Sequence, residues 1–372
     1  MKRYRRWLMV GLLGLPVLCG GLILLSAVSN IGLPQQSAVV DRLGALEKAQ
    51  LAEAIQLRGA VGNAVWPGWG DAAIPVLLWN EQYAFLVGHP APPPGWEAVP
   101  DDDFFGAPYY RQVARDPQAF AVRVGDVWAA SMATREWMPL ALHAEVRNDL
   151  PEFLKPLFPY RLVTRVYTTD WHIAAIQHES FHAYQAQTAL ERLRAAENTV
   201  RSGEARYLWD HAEFQADWAA ELKLLQQAVQ AASDAEATDL ARQFLAGRTL
   251  RRQSVELSPD MGNYERQREW LEGTAKYVEL QAWRAGATTP AYTPQPALTA
   301  DRQFKDYRGY QQRLNEEIRH LTRLKLDQPG DSRFYYSGMA QALLLDRLAP
   351  GWKDRAFDDG VWLEALLAEA VN

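Results

Sequence analysis

Residues 178 to 182 read His-Glu-Ser-Phe-His. On an α-helix each residue turns about 100°, so positions four apart differ by only about 40° around the axis. His178 and His182 therefore project from one face, at a separation that lets two imidazoles bind one divalent ion. Glu179 stands beside them, where a carboxylate can take a proton from a water acidified by that ion. The chemistry to expect is hydrolysis with one zinc ion per chain, of peptide bonds first. Two histidines on an ordinary amphipathic helix would look the same, so the flanking sequence and a third ligand must decide between them.

The flanks support a long helix. Thr169 and Asp170 offer an N-cap, and Trp171 to Leu190 runs without Gly or Pro. Ile173, Phe181 and Tyr184 cluster on one side and can anchor the helix in a core. The small residues Ala174, Ala175 and Ala186 flank the histidine face and leave room for an ion and a substrate.

A catalytic zinc takes three protein ligands and keeps a fourth position open. The downstream acids and histidines are His211, Glu213, Glu221, Glu265, Glu269, Glu272, Glu279 and His320. The segment from Trp270 to Glu279, Trp-Leu-Glu-Gly-Thr-Ala-Lys-Tyr-Val-Glu, resembles the zinc-ligand helix of aminopeptidase-N-like enzymes, W-L-N-E-G-F-A-x-Y-V-E. Here the residue between Leu and Glu is missing, so the match is in register from Glu272 onward. Those enzymes are gluzincins, in which a glutamate from a later helix completes the zinc site. The resemblance implies Glu272 as third ligand, a thermolysin-like metallopeptidase core, and peptide or protein substrates, peptidoglycan peptides included. Gly273 then has a physical role, since a residue without a side chain lets two helices approach closely. The resemblance covers the two short motifs only. No segment like the G-x-M-E-N element that holds a free amino terminus is present, so endo- and exopeptidase activity both stay open. Lys276 stands where thermolysin-like enzymes carry an Asp that orients a histidine, which leaves Glu279, Asp217 and Glu221 as histidine partners to consider.

The oxyanion of peptide hydrolysis needs a donor besides the metal, often Tyr or His in this superfamily. Arg333-Phe334-Tyr335-Tyr336-Ser337-Gly338 supplies Tyr335 and Tyr336 as candidates, with Arg333 available for a substrate carboxylate. Tyr264 and Tyr277 flank the ligand segment as weaker candidates.

The rest of the chain supplies the elements that must position these groups. With 372 residues, 48% of them hydrophobic, it can bury a substantial core. The expected class is α+β and predominantly helical, with a small mixed or antiparallel sheet lobe over residues 31–168 and a helical lobe over 169–372. Short apolar runs at Ile74–Leu78 and Tyr83–Val87, separated by Asn80, read as strands, and Ala119–Val124 with Val127–Ser131 around Gly125-Asp126 reads as a β-hairpin. Ser37–Leu57 reads as helix. Further helices are expected near 170–192, 205–231, 234–256, 263–284, 304–325, 332–347 and 358–370, with Ser233 and Glu236 as a capping box.

Residues 1–30 read as a transmembrane anchor. Four cations in Met-Lys-Arg-Tyr-Arg-Arg precede an apolar, charge-free run from Trp7 to Val28, which predicts an inside N-terminus and a periplasmic catalytic domain. A cleaved signal peptide and a secreted protein are the alternative. Cys19 is the only cysteine, so the remainder lacks disulfides. Without the four N-terminal cations the net charge falls from −6 to −10, which argues against nucleic acid as a partner. Oligomeric state is left open. Two other classes fit parts of the pattern. Glu179-x-x-His182 with Glu317-x-x-His320 resembles a di-iron carboxylate bundle, and a structural or degenerate metal site would make the chain a non-enzymatic envelope protein.

Overall fold

In the computed structural model the described residues are 24–372. The chain is α+β and mostly helical, with one six-stranded mixed sheet. Helix α1 (Ala45–Val65) precedes the strands β1 (Val76–Trp79), β2 (Tyr83–Val87), β3 (Glu97–Ala98), β4 (Tyr110–Val113), β5 (Phe120–Val124) and β6 (Val127–Ala133). Their spatial order is β3-β4-β2-β1-β6-β5. Only β1 and β6 run parallel; the other neighbours are antiparallel.

The expected β5–β6 hairpin forms, β1 and β2 pair as a second one, and local chemistry explains both turns. Asn80 Oδ1 accepts from the backbone N–H groups of Gln82 and Tyr83, closing the β1–β2 turn as an Asx-type bend. Gly125 takes φ +60°, the left-handed conformation the two-residue β5–β6 turn requires, and Val124 pairs with Val127 across it. Alternation along β1 and β2 sends Leu78 and Phe85 into the main core, and Leu77 and Leu86 into a small cluster on the opposite face.

The sheet is followed by α2 (Trp137–Asp149), which the sequence conceals because Pro139 sits in its first turn. Then come α3 (Thr169–Thr188), α4 (Leu190–Gly203), α5 (Ala212–Gln230), α6 (Asp234–Ser254) and α7 (Pro259–Arg268). A π-helical turn, Glu269–Gly273, joins α7 directly to α8 (Thr274–Thr288). The chain ends with α9 (Tyr310–His320), α10 (Ser332–Leu348) and α11 (Leu363–Val371). One buried apolar cluster runs from Leu43 to Val371 and includes residues of the sheet and of the helices. Helix α3 lies at its centre, packed on β5 and β6 on one side and on α1 and α8 on the others.

Three expectations are corrected. The cap of α3 is Thr168, whose hydroxyl accepts from Trp171 N at 3.2 Å. Thr169 instead donates to Asp301, and Asp170 accepts from the backbone N–H groups of Lys305 and Tyr307, so both are buried anchors for the 301–307 loop. The helix expected from residue 37 begins at Ala45, and the backbone N–H groups of Ser37 and Ala38 donate instead to the Glu81 and Glu136 carboxylates. The third correction concerns the N-terminus. Among the described residues no helix is long and apolar enough to cross a membrane. The single-pass anchor, the membrane partnership and the periplasmic placement derived from them are therefore withdrawn. Residues 24–30 form less than two turns of helix. That helix ends against the body, with Asn30 donating to the Pro156 and Phe158 carbonyls and Arg161 donating to the Ser29 carbonyl. Most of the apolar run Trp7–Val28 lies outside the described residues.

Candidate metal centre

Helix α3 carries His178 and His182, and both imidazoles turn towards the α7–α8 helix. Their Nε2 atoms lie 3.1 Å apart. Glu272 Oε2 stands 3.5 Å from His178 Nε2 and 3.3 Å from His182 Nε2. Three ligands on a tetrahedral zinc, each about 2.0–2.1 Å from it, would be spaced roughly 3.3 Å apart. The triangle already has that size. Among the described residues this trio is the group that can hold a metal, and all three side chains are buried.

The outer atoms of His182 and Glu272 are fixed by hydrogen bonds, so that their inner ones stay free. His182 Nδ1–H donates to Gln185 Oε1 at 2.8 Å. Gln185 is oriented in turn by donating to Thr274 Oγ1 and the Leu271 carbonyl. That leaves the His182 Nε2 lone pair pointing inward, the tautomer a metal needs. His178 Nδ1 faces Glu279 Oε2 at 3.4 Å. Lys276 holds Glu279 through a 2.8 Å bond and reaches Glu317 at 3.0 Å. Arg268 donates to Glu272 Oε1 at 2.8 Å, whereas Oε2 has no hydrogen-bond donor. A buried carboxylate oxygen with no donor, facing two imidazole nitrogens, is costly unless a cation sits among them. The residues present fit a zinc ion on both spacing and donor chemistry.

The charges are correspondingly strained. Burial works against charging His178, but the Glu272 and Glu279 carboxylates overcome it and raise the imidazole to about 10. Burial also opposes ionisation of Glu272, yet His182, His178 and Arg268 hold its carboxyl well below the usual range. Glu179 moves upward, because burial and the neighbouring Glu272 and Glu279 charges outweigh the attraction of His178 and His182. A carboxylate raised in this way is a better proton acceptor.

Glu179 and His178 line a cavity of about 430 Å³, walled by Met132, Met138 and Trp171 on one side and by Tyr335 and Tyr336 on the other. Tyr335 lies parallel to the His178 ring at 5.5 Å, with a 7° interplanar angle. Burial and the Glu272 and Glu179 carboxylates hold its hydroxyl far above its ordinary value, so it stays a proton donor. Tyr336 is turned towards His320, 4.6 Å away between rings, and burial with Glu317 pushes its hydroxyl up. The structure thus separates the two tyrosines. Tyr264 packs against Tyr207 and Phe334, and Tyr277 donates to Asp346, so neither faces the trio. Arg333 is buried over the Trp209 ring and donates to the Leu326 carbonyl, away from this cavity.

Two devices position Glu272, the candidate third ligand. The π turn holds one residue more than an α turn and rotates the helix beyond it by about 100°. Gly273 lies in van der Waals contact with Gly338, where a Cβ on either residue would collide with backbone of the other helix. Gly273 therefore seats the ligand helix against α10, which carries Tyr335, rather than against α3 as the sequence suggests. Behind the π turn, Arg248 pairs with Glu221 and Glu269, and Arg251 with Glu221 and Glu265, all nearly solvent-free. Glu221 is thereby excluded as a histidine partner, and Glu279 is the carboxylate that lies near His178 Nδ1, at 3.4 Å and without a hydrogen bond. Glu317 faces Lys276 and Arg313, and His320 is exposed, so the second Glu-x-x-His pair forms no second metal site.

Sequence reasoning missed Gln185 and Arg268. Both lie at helical spacing from their partners, three residues after His182 and four before Glu272, and i,i+3 and i,i+4 geometry makes such pairs findable. In comparison with known proteins, no family model, no curated protein and no solved structure matches this chain.

Proposed function

We propose that the chain is a zinc-dependent hydrolase of the gluzincin type that cleaves peptide bonds. The observation that carries this reading is the ligand triangle of 3.1, 3.3 and 3.5 Å. One of its corners, His178, lines a cavity together with Glu179 and Tyr335, the groups this reading assigns to proton transfer. His178, His182 and Glu272 would hold the metal. A zinc ion in that place supplies Lewis acidity and lowers the pKa of water at its open position.

The chain's own residues account for the other steps. Glu179, raised by its surroundings, accepts the proton of the attacking water and returns it to the leaving amine. Tyr335, kept protonated by the adjacent carboxylates, donates to the oxygen that becomes negative. Met132, Met138 and Trp171 exclude water and offer apolar surface to a substrate residue. Gln185, Glu279 and Arg268 fix the ligands without touching substrate. A thermolysin-like arrangement of the core belongs to the same reading, as do peptide or protein substrates, including peptidoglycan peptides. The test is cleavage of a diverse peptide library, with N-blocked members, by the zinc-loaded and the chelated full chain. Zinc-dependent cleavage supports the reading, and cleavage that ignores zinc removal refutes it. The N-blocked peptides report endo- against exo-cleavage.

A further inference from the structure

The cavity beside the metal centre has a neighbour. Ser332, in the first turn of α10, lines that cavity and also a second pocket of about 330 Å³. Tyr336 links the two again. It walls the first and packs against His320, which walls the second, with 4.6 Å between the ring centres. Ser332 precedes Tyr335 by one helical turn, about 5 Å along the axis. An extended peptide advances about 3.3 Å per residue, so a chain held beside His178 and Glu179 reaches the second pocket within a few residues.

The two compartments differ in charge. Glu179 and Glu279 line the first, and its one cation, Lys276, is engaged by Glu279 and Glu317. The second is lined by Arg323, Lys325, Arg333 and His320, and by no Asp or Glu. Arg323 and Lys325 are exposed, so their charges meet an incoming chain directly. Arg333 is anchored beneath them by the Leu326 carbonyl and the Trp209 ring. The neighbouring carboxylates do not neutralise this set. Asp331 is bound to Arg268, Glu317 to Lys276 and Arg313, and Asp327 stays outside the lining. Such a concentration of positive charge runs against the net charge of −6 for the whole chain. It attracts an anion, and a pocket of this size takes one side chain or one chain end rather than a polyanion.

We infer that the metal centre acts on peptides carrying an acidic group a few residues to one side of the cleaved bond, either an Asp or Glu side chain or a free C-terminal carboxylate. Arg323 and Lys325 are the residues that select it. The inference deepens the peptidase reading and rests on it. An exposed ion pair is worth up to about fivefold in binding, so the two cations together give a preference of about tenfold.

The experiment is cleavage, by the zinc-loaded full chain, of N-blocked peptides in which Glu replaces Gln at each position in turn. Each peptide is made with a free and with an amidated C-terminus. The acidic group is expected to raise kcat/KM about tenfold at one position on one side of the cleaved bond, through KM rather than kcat. A gain from Glu in the amidated series assigns the pocket to a side chain, and a gain from the free C-terminus over the amide assigns it to the chain end. Either gain shrinks to under about twofold in 1 M salt. It shrinks likewise in the double variant Arg323→Gln with Lys325→Gln, which cleaves peptides lacking the acidic group as the wild-type chain does. Calorimetric titration of the Glu179→Gln chain with the same peptides shows the preference in binding, without turnover. Zinc-dependent cleavage with neither gain overturns the inference and leaves the peptidase reading standing, and so does a gain that survives the double variant. Absence of zinc-dependent cleavage of every peptide refutes the peptidase reading, and this inference with it.

Discussion

Replacing Gly273 by alanine tests how Glu272, the proposed third ligand, is seated. A Cβ there would lie 2.8 Å from Gly338 C and 3.0 Å from Met339 N, and closer still to Gly338 Cα. Ordinary contact for such atoms begins near 3.4 Å, so the ligand helix and α10 must part by about 1 Å. Backbone stands on both sides, and no flexible side chain can absorb the strain. Overpacking of this kind costs about 1–3 kcal/mol, which in a chain of this length lowers Tm by roughly 1–4 °C. Activity should suffer more than stability, since Tyr335 rides on α10 and Glu272 on the other partner; a misplacement of about 1 Å at a catalytic group can cost on the order of 100-fold. Gly338→Ala should do the same, and the double variant should cost less than the sum, because both open one contact. Gly247→Ala is the control: its Cβ would meet nothing within 4 Å in the middle of α6, so it should stabilise by about 0.5–1 kcal/mol. Differential scanning calorimetry and peptide turnover read both effects. A Gly273→Ala chain with wild-type Tm and turnover refutes the proposition that this contact sets the spacing.

Other substitutions separate the remaining roles. Tyr335→Phe should lower turnover roughly 100-fold with zinc retained, whereas Tyr336→Phe should lower it far less; equal losses would contradict the division between the two. Glu279→Gln should weaken zinc affinity about 10- to 100-fold, measured by competition with a chelator, and an unchanged affinity would remove Glu279 from the support of His178. Acid stability follows from Glu265, whose carboxyl Arg251 and Arg252 hold at about 2 despite burial. A lowered folded pKa gives stability that is present above the unfolded value near 4.5 and lost as pH falls towards 2. Tm should therefore drop across that window, and Glu265→Gln should flatten the drop; a wild-type curve that stays level there would speak against it.

How far the sequence reaches can be seen residue by residue. His178, Glu179 and His182 are legible because one helix carries all three, and helical periodicity alone aligns them. Glu272 is reached through a short resemblance, and its approach to the two histidines emerges only when α3 and α8 pack. Neither the π turn nor Gly338 carries a local signal. The first needs the whole continuous helix from Pro259 to Thr288, and the second needs its partner Gly273 from 65 positions earlier. The tyrosines are legible as a pair, yet only tertiary packing turns Tyr335 to His178 and Tyr336 to His320. The strands are readable from Asn80 and Gly125-Asp126, whose turn chemistry is local. Helix α2 is hidden by Pro139, a residue tolerated in a first turn but read as a breaker.

The central claim is that Glu179 moves the proton for a metal held by His178, His182 and Glu272. Metal content and peptide turnover, measured together for the wild-type chain and Glu179→Gln, test it directly. One zinc per chain is expected in both, with turnover in the variant reduced by about 10²- to 10⁴-fold. A wild-type chain that takes up no zinc, or a Glu179→Gln chain that turns over substrate at the wild-type rate, would contradict it.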